Sequence, residues 1–310
     1  MSSQPRQDVS PAASGGEFRS GFACFAGRPN VGKSTLMNAL VGTKVAITSS
    51  RPQTTRHVVR GVVHRGDSQL VLVDTPGMHK PRTLLGERLN DLVRATWSEV
   101  DVIGLCVPAD EAVGPGDRFI ASEIGELKAK VVAVVTKTDL VSRARLAEQL
   151  VAVSRLGDLA DVVPVSAVSG DQLDVLVDVM AGHLPPSPQL YPDDMITDEP
   201  EQVMVAELIR EAALEGVRDE LPHSIAVVVE EMLPAEGRGD LMKIYADIYV
   251  ERSSQKAIVI GAGGTRLRDV GIRARAEIEA LLGTKVYLDL HVRVAKEWQR
   301  DPKLLRRLGF

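Results

Sequence analysis

The chain has 310 residues, enough for two domains with a core each. It is 44% apolar and 25% charged, which excludes a fibrous or wholly disordered protein, and no apolar run approaches the roughly 20 residues that cross a bilayer. The net charge of −5 is unevenly spread: residues 186–239 carry 3 basic and 13 acidic side chains, residues 240–310 carry 14 and 9, so an anionic partner is expected at the C-terminal end.

Residues 1–17, rich in Ser, Pro, Ala and Gly, are expected to be a disordered tail. Their polar start lacks an apolar signal core, which points to the cytoplasm. Next come apolar runs alternating with amphipathic stretches. The runs Phe22–Ala26, Gln69–Val73, Val102–Val107, Val131–Thr136 and Val162–Val165 read as strands. The stretches Thr83–Trp97, Asp117–Leu127, Arg143–Arg155 and Asp171–His183 read as helices between them. This order predicts an α/β domain over 18–185 with a mostly parallel sheet covered on both faces. Cys24 and Cys106 fall within strands and read as buried thiols. Leu184-Pro-Pro-Ser-Pro188 opens a stiff linker over 186–200. Beyond it an α+β pattern follows: helix Glu201–Gly216, strands Ser224–Glu231 and Leu241–Glu251, a short helix ending at Gly261, helix Thr265–Leu282 and strand Lys285–Val294. A second domain is therefore expected over 201–295, with a basic tail at 296–310.

Behind the first strand, residues 27–34 read Gly-Arg-Pro-Asn-Val-Gly-Lys-Ser, a phosphate-binding loop (P-loop). Its glycines let backbone N–H groups curl around a phosphate, and the following helix points its positive end at the same anion. Gly27, Asn30, Val31, Gly32, Lys33, Ser34 and Thr35 are expected to hold the phosphates, with Lys33 reaching the β and γ groups. Ser34 is a Mg²⁺ ligand candidate. Asp74, Thr75, Pro76 and Gly77 follow the next predicted strand. Asp74 suits a water of the Mg²⁺ shell, and the Gly77 N–H suits the γ-phosphate. In the polar segment Ser50–His57 a threonine hydroxyl should complete the shell; Thr55 is favoured over Thr54. Lys33, Thr55 and Gly77 are thus the catalytic candidates.

Thr136-Lys-Thr-Asp139 ends a later strand. The Asp139 carboxylate can accept both N1–H and N2–H of guanine, a pair that adenine lacks. The Lys137 stem can cover the base, and Ser166-Ala167 can offer backbone N–H to O6. Guanine-binding proteins usually carry Asn where this chain has Thr136, so a weaker tether to the phosphate loop is expected. Met78 stands where Ras-like enzymes place a water-orienting glutamine, and a thioether cannot serve there. Asn30 has two readings: its amide oxygen ligates K⁺ beside the phosphates, or it only shapes the loop through its own backbone.

Gln53-Thr-Thr-Arg-His57, Asp74-Thr-Pro-Gly-Met-His-Lys-Pro81 and Leu85-Gly-Glu-Arg-Leu-Asn90 resemble the Era family of bacterial GTPases. Gln255-Lys-Ala-Ile-Val-Ile-Gly-Ala-Gly-Gly264 is similar to the Gly-x-x-Gly loop of that family's KH domain, and the resemblance spans about residues 20–310. It implies a P-loop GTPase domain followed by a type II KH domain, using GTP, GDP and Mg²⁺. It also implies a GTP-hydrolysing switch that binds the 3′ end of 16S ribosomal RNA in 30S subunit assembly, in a family that sometimes contacts the inner face of the membrane peripherally. With Met78 in place of the glutamine, slow intrinsic turnover is expected. A monomer is expected. Relatives with Met at the position of Met78 often need K⁺, which favours the first reading of Asn30.

The RNA candidates are Lys256, Gly261, Ala262, Gly263, Gly264, Arg266, Arg268, Trp298 and Arg300. A Gly-x-x-Gly turn lets a nucleic-acid strand approach the backbone, and Trp298 could stack a base. Ala262 stands where the family usually has Lys; Lys256, Arg266, Arg268, Arg273 and Arg275 could compensate. Ile258, Val259 and Ile260 either floor a groove for bases or belong to the core. A constitutive RNA-binding protein with little hydrolysis is the alternative function. A metabolic kinase would leave Asp139 and the Gly-x-x-Gly loop unexplained.

Overall fold

The computed structural model describes residues 17–48, 54–217 and 224–310. Most of the expected N-terminal tail, and residues 50–53 of the polar segment, lie outside the described residues.

Six strands form the first sheet in the order β2-β3-β1-β4-β5-β6: β1 (Arg19–Ala26), β2 (Val59–His64), β3 (Ser68–Asp74), β4 (Val102–Pro108), β5 (Lys130–Thr136) and β6 (Asp161–Pro164). All neighbours are parallel except β2, which runs antiparallel to β3 from Val59↔Asp74 to His64↔Gln69. Five of these strands match the apolar runs. Strand β2 was not expected: Val-Arg-Gly-Val-Val-His alternates poorly and carries a glycine, which weakens a strand signal. The glycine has a packing cause, because a Cβ at Gly61 would lie 2.7 Å from a Val41 methyl and 2.9 Å from the Met37 Cε.

Helices α1 (Lys33–Val41) and α5 (Leu173–Gly182) cover one face of this sheet, where Leu36, Met37, Leu176 and Met180 pack with Phe25 and Leu72. On the other face α2 (Leu84–Glu99), α3 (Pro115–Gly125) and α4 (Arg143–Val153) bury Val93, Trp97, Ile120 and Val153 against Ile103 and Val135. Cys24 and Cys106 are free and buried, as their strands require.

The proline-rich stretch after α5 adheres to the sheet edge rather than spanning open space. Ser187 donates its N–H to Phe18 O at 3.0 Å, Gln69 bonds the backbone of Leu190 and Tyr191, and Val62 donates to Ile196 O at 2.8 Å. Helix α6 (Glu201–Leu214) then leads into a three-stranded sheet of order β7-β8-β9: β7 (Ala226–Ala235), β8 (Arg238–Val250) and β9 (Lys285–Val294). Strand β8 is antiparallel to β7 and parallel to β9. Helices α7 (Ser253–Ile260) and α8 (Thr265–Leu282) connect β8 to β9, and their buried Val259, Val270, Ala274 and Ile278 share a core with Ile209 and Ile248. The order α-β-β-α-α-β and its mixed sheet are those of a KH fold.

Residues 296–310 fold back as a structured segment ending in helix α9 (Pro302–Arg307). Asp301 caps it by accepting from the backbone N–H of Lys303 and Leu304. Trp298, Leu305 and Leu308 pack with Leu85 and Leu89 of α2, so this segment touches a helix of the first sheet. Among the described residues no helix is long and apolar enough to cross a membrane.

Candidate nucleotide site and nucleic-acid interface

The phosphate loop turns from the end of β1 into α1 at the carboxyl edge of the parallel sheet. The α1 cap is Gly32, which offers no side chain to the first-turn N–H groups and so leaves them for an anion. Lys33 is buried and donates to the carbonyls of Gly27 and Arg28 at 3.2 and 3.0 Å, which fixes its ammonium within the loop. Burial pulls its pKa down and Asp74 opposes that. Gly77 closes against the loop: a Cβ there would lie 2.9 Å from Pro29 N and 3.0 Å from Pro29 Cα, a backbone clash that no rotamer relieves. Asn30, Lys33, Ser34, Thr35, Thr55 and Gly77 line the resulting cleft of about 420 Å³.

Three oxygen donors converge here. Ser34 Oγ donates to Asp74 Oδ2 at 2.7 Å, Thr55 Oγ1 donates to the same atom at 3.1 Å, and the two hydroxyls are 3.1 Å apart. Asp74 is fully buried, and burial raises its pKa against the pull of Ser34 and Lys33. Its Oδ1 is buried with no hydrogen-bond partner among the described residues. An all-oxygen set with an orphaned carboxylate oxygen fits Mg²⁺, a hard cation that takes oxygen ligands. The neighbouring Thr75 hydroxyl is likewise buried and unpaired among the described residues.

On the other side of α1, Thr136, Lys137, Asp139, Val165 and Ala167 line a second cleft of about 650 Å³ with Thr35. Thr136 keeps a tether: its buried hydroxyl donates to Val31 O at 2.7 Å and ties this loop to the phosphate loop. Ser166 donates to Asp139 Oδ1 at 2.6 Å, which orients the carboxylate. The Ser166 N–H is donated to Asp171 O, so Ala167 remains as the backbone donor candidate. Met78 is buried in the apolar cluster with Val73 and Val93.

In the second domain, Gly261 takes φ 75° and a Cβ there would lie 2.7 Å from Arg266 Cβ, so only glycine fits. Gly263 and Gly264 complete a tight turn into α8, and Ala262 is exposed. Beside the turn, Gly264, Leu267, Arg268, Ile272, Arg275 and Tyr287 line a groove of about 1030 Å³. This apolar floor with a cationic rim suits unstacked bases and a phosphate backbone. Lys256 is half-buried, and Arg268 and Arg300 are exposed. Val259 belongs to the core and Ile260 packs against it, whereas Ile258 is exposed.

Two RNA candidates are otherwise engaged. Trp298 has no exposed surface, donates Nε1–H to Ser224 O at 3.0 Å and stacks on Phe310 at 5.6 Å; it cannot stack a base. Arg266 donates to Ala213 O and Glu215 O, and Arg273, a possible compensating cation, donates to Ala212 O. These guanidiniums bond carbonyls at the end of α6. The tail's aromatic-plus-basic composition suggested a stacking surface; the apolar spacing of Leu304, Leu305 and Leu308 was the overlooked sign of docking. Arg56, Glu207 and Arg210, at the seam between the two domains, were also missed. No local pattern marks contacts that span 169 positions from Arg56 and 156 from Arg210.

A P-loop, a guanine-type Asp139 loop and a KH fold in one chain define a GTPase that carries a nucleic-acid-binding domain. The family model described as 50S ribosome-binding GTPase matches residues 22–137, and the KH domain model matches 220–299. The chain is 68% identical over 297 residues to the GTPase Era of Mycobacterium sp. (strain KMS), covering 95% of this chain and 99% of that one. It is 69% identical over 301 residues to the GTPase Era of Streptomyces coelicolor, covering 94% and 95%. Among solved structures, an Aquifex aeolicus Era variant bound to GDP·AlF4⁻ superposes with TM-score 0.91 at 37% identity, over 94% of this chain and 99% of that one. Era in complex with MgGDPNP and nucleotides 1506–1542 of 16S ribosomal RNA also gives 0.91, at 38% identity and the same coverage. The chain belongs to the Era family of GTPases.

Proposed function

We propose that this GTPase is a nucleotide-controlled switch that binds the 3′ end of 16S ribosomal RNA and acts in assembly of the 30S subunit. The observation that carries the reading is the groove beside Gly261–Gly264, built into the same chain as the P-loop. Era solved with 16S ribosomal RNA nucleotides supports the choice of ligand. In this reading residues 18–185 form the GTPase domain and residues 201–295 a type II KH domain. Ser34, Thr55 and, through water, Asp74 would hold Mg²⁺, which would supply positive charge to neutralise the phosphates during hydrolysis. Lys33 binds the same phosphates, the Gly77 N–H orients the γ group, and Asp139 selects guanine. Lys256, Arg268 and Arg300 are the cations proposed for the RNA backbone. We place its action in the cytoplasm, with peripheral contact at the inner membrane face, and as a monomer.

The test is filter binding of short 16S 3′-end oligonucleotides to the wild type and to Gly263→Asp/Gly264→Asp, in GTP, GDP and no nucleotide. The variant adds two negative charges where the strand approaches. RNA binding should be lost with GTP binding retained. Affinity within about threefold of wild type, under ~1 kcal/mol, would move the RNA site elsewhere. RNA affinity independent of nucleotide, with negligible turnover, would instead favour the constitutive RNA-binding protein.

A further inference from the structure

The short segment that carries Thr55 is held from the KH side. Arg210 of α6 is 1% exposed, and its guanidinium donates to the Thr54 carbonyl, the residue directly before the Mg²⁺ candidate. Glu207, one turn earlier on α6, accepts from Arg210 Nε at 2.8 Å and Nη2 at 2.6 Å, fixing the plane of the fork. Arg56, on the other side of Thr55, donates to Ile225 O at 2.7 Å and lies over the Trp298 ring. Glu211, next to Arg210, accepts from the Thr48 N–H at 2.8 Å. Residues 48, 54 and 56 are thus tied to the second domain, whereas Thr55 donates to Asp74 in the first.

A buried ion pair of this kind is a poor device for stability. Apolar residues of similar volume often serve as well, because desolvating two charges costs about as much as their attraction returns. What a rigid guanidinium supplies, and an apolar side chain does not, is a fixed donor at one carbonyl. We propose that Arg210 is a positioning residue for GTP hydrolysis: it holds the Thr54 carbonyl and thereby sets the Thr55 hydroxyl at the magnesium site. A residue of the RNA-binding domain then controls part of the nucleotide chemistry, and by linkage a shift of that domain alters nucleotide handling. The inference rests on the reading of Thr55 as a magnesium ligand.

The experiment uses the full chain and follows single-turnover GTP hydrolysis against Mg²⁺ concentration, with GDP affinity as a control. The variants are Arg210→Lys, Arg210→Met and the pair Arg210→Met/Glu207→Gln, which removes both charges of the ion pair if Arg210→Met alone fails to fold. For the pair, the rate should fall and half-saturating Mg²⁺ should rise by about fivefold or more, the lower range of a coupling between sites. GDP affinity should stay within about twofold, because GTPase switch segments are held by contacts with the γ-phosphate and its Mg²⁺ that a GDP complex does not make. Arg210→Lys should recover part of both losses. In a Thr55→Ala background the same pair should add less than about twofold, because linked residues are not additive. The inference is overturned if the pair matches wild type while Thr55→Ala does not, or if GDP affinity falls in step with the rate. If Thr55→Ala itself leaves the Mg²⁺ dependence unchanged, the magnesium reading fails first.

Discussion

A hydroxyl at Thr136 replaces an amide without loss of the tether, since its bond to Val31 O is short and buried. A neutral bond of this kind contributes about 1 kcal/mol, and more is lost when its buried acceptor is left unpaired. Selection of the base is proposed to rest on Asp139, whose carboxylate accepts from Ser166. Asp139→Asn should weaken GTP binding and shift preference towards xanthine nucleotides, whose O2 replaces the 2-amino group. Competition of GTP and XTP for the variant measures this, and unchanged GTP affinity would reject the assignment. At Asn30 the backbone is left-handed, with φ 64°, a conformation that Asn tolerates. Because Met78 is buried in an apolar cluster, it offers no group to orient water, and K⁺ held by the Asn30 amide is proposed for the missing charge. Turnover should be faster in KCl than in NaCl at equal ionic strength, and Asn30→Ala should remove the difference. Equal rates for wild type in both salts would return Asn30 to a loop-shaping role.

Of the helices and strands, α9 departs most from what its composition suggests. Its cations Arg306 and Arg307 lie in the last turn, where they favour the negative end of the helix, while Leu305 and Leu308 are buried against α2. Leu305→Ala deletes a fully buried side chain and should cost about 2–5 kcal/mol of local stability. Amide exchange over 302–308 should accelerate in this variant while β8 stays protected, and RNA and GTP binding should persist if the lesion is local. Strand β2 and the strap after α5 belong together: Val62 of the strand bonds Ile196 of the strap, so neither was legible without the other.

The two domains meet over a seam that mixes buried charge with aromatic stacking. His57 sits there, stacked on Phe310 at 5.0 Å and near Glu207, Arg210 and Arg56. Burial holds its pKa below the ordinary value of 6.5; Arg210 and Arg56 add to that, and Glu207 opposes it. The folded state therefore binds the proton less well than the unfolded state, and the stability from neutral His57 is lost as pH falls through 6.5 towards the depressed value. Melting followed from about pH 7.5 to about pH 5.5 should show a drop that His57→Gln reduces. An unaltered drop would place the titrating group elsewhere.

Five strands of the parallel sheet, the phosphate and guanine loops and the KH elements were all legible in the amino-acid order. Those depend on neighbours along the chain: runs of buried β-branched residues, glycines at a turn, a carboxylate at a strand end. Three-dimensional packing was needed to learn that Trp298 is core, that Arg266 and Arg273 close the end of α6, and that Arg210 reaches Thr54. Each of these turns on which distant surface a side chain meets. A tryptophan or an arginine fits water, nucleic acid or a protein interior by the same chemistry, and packing alone chooses among them.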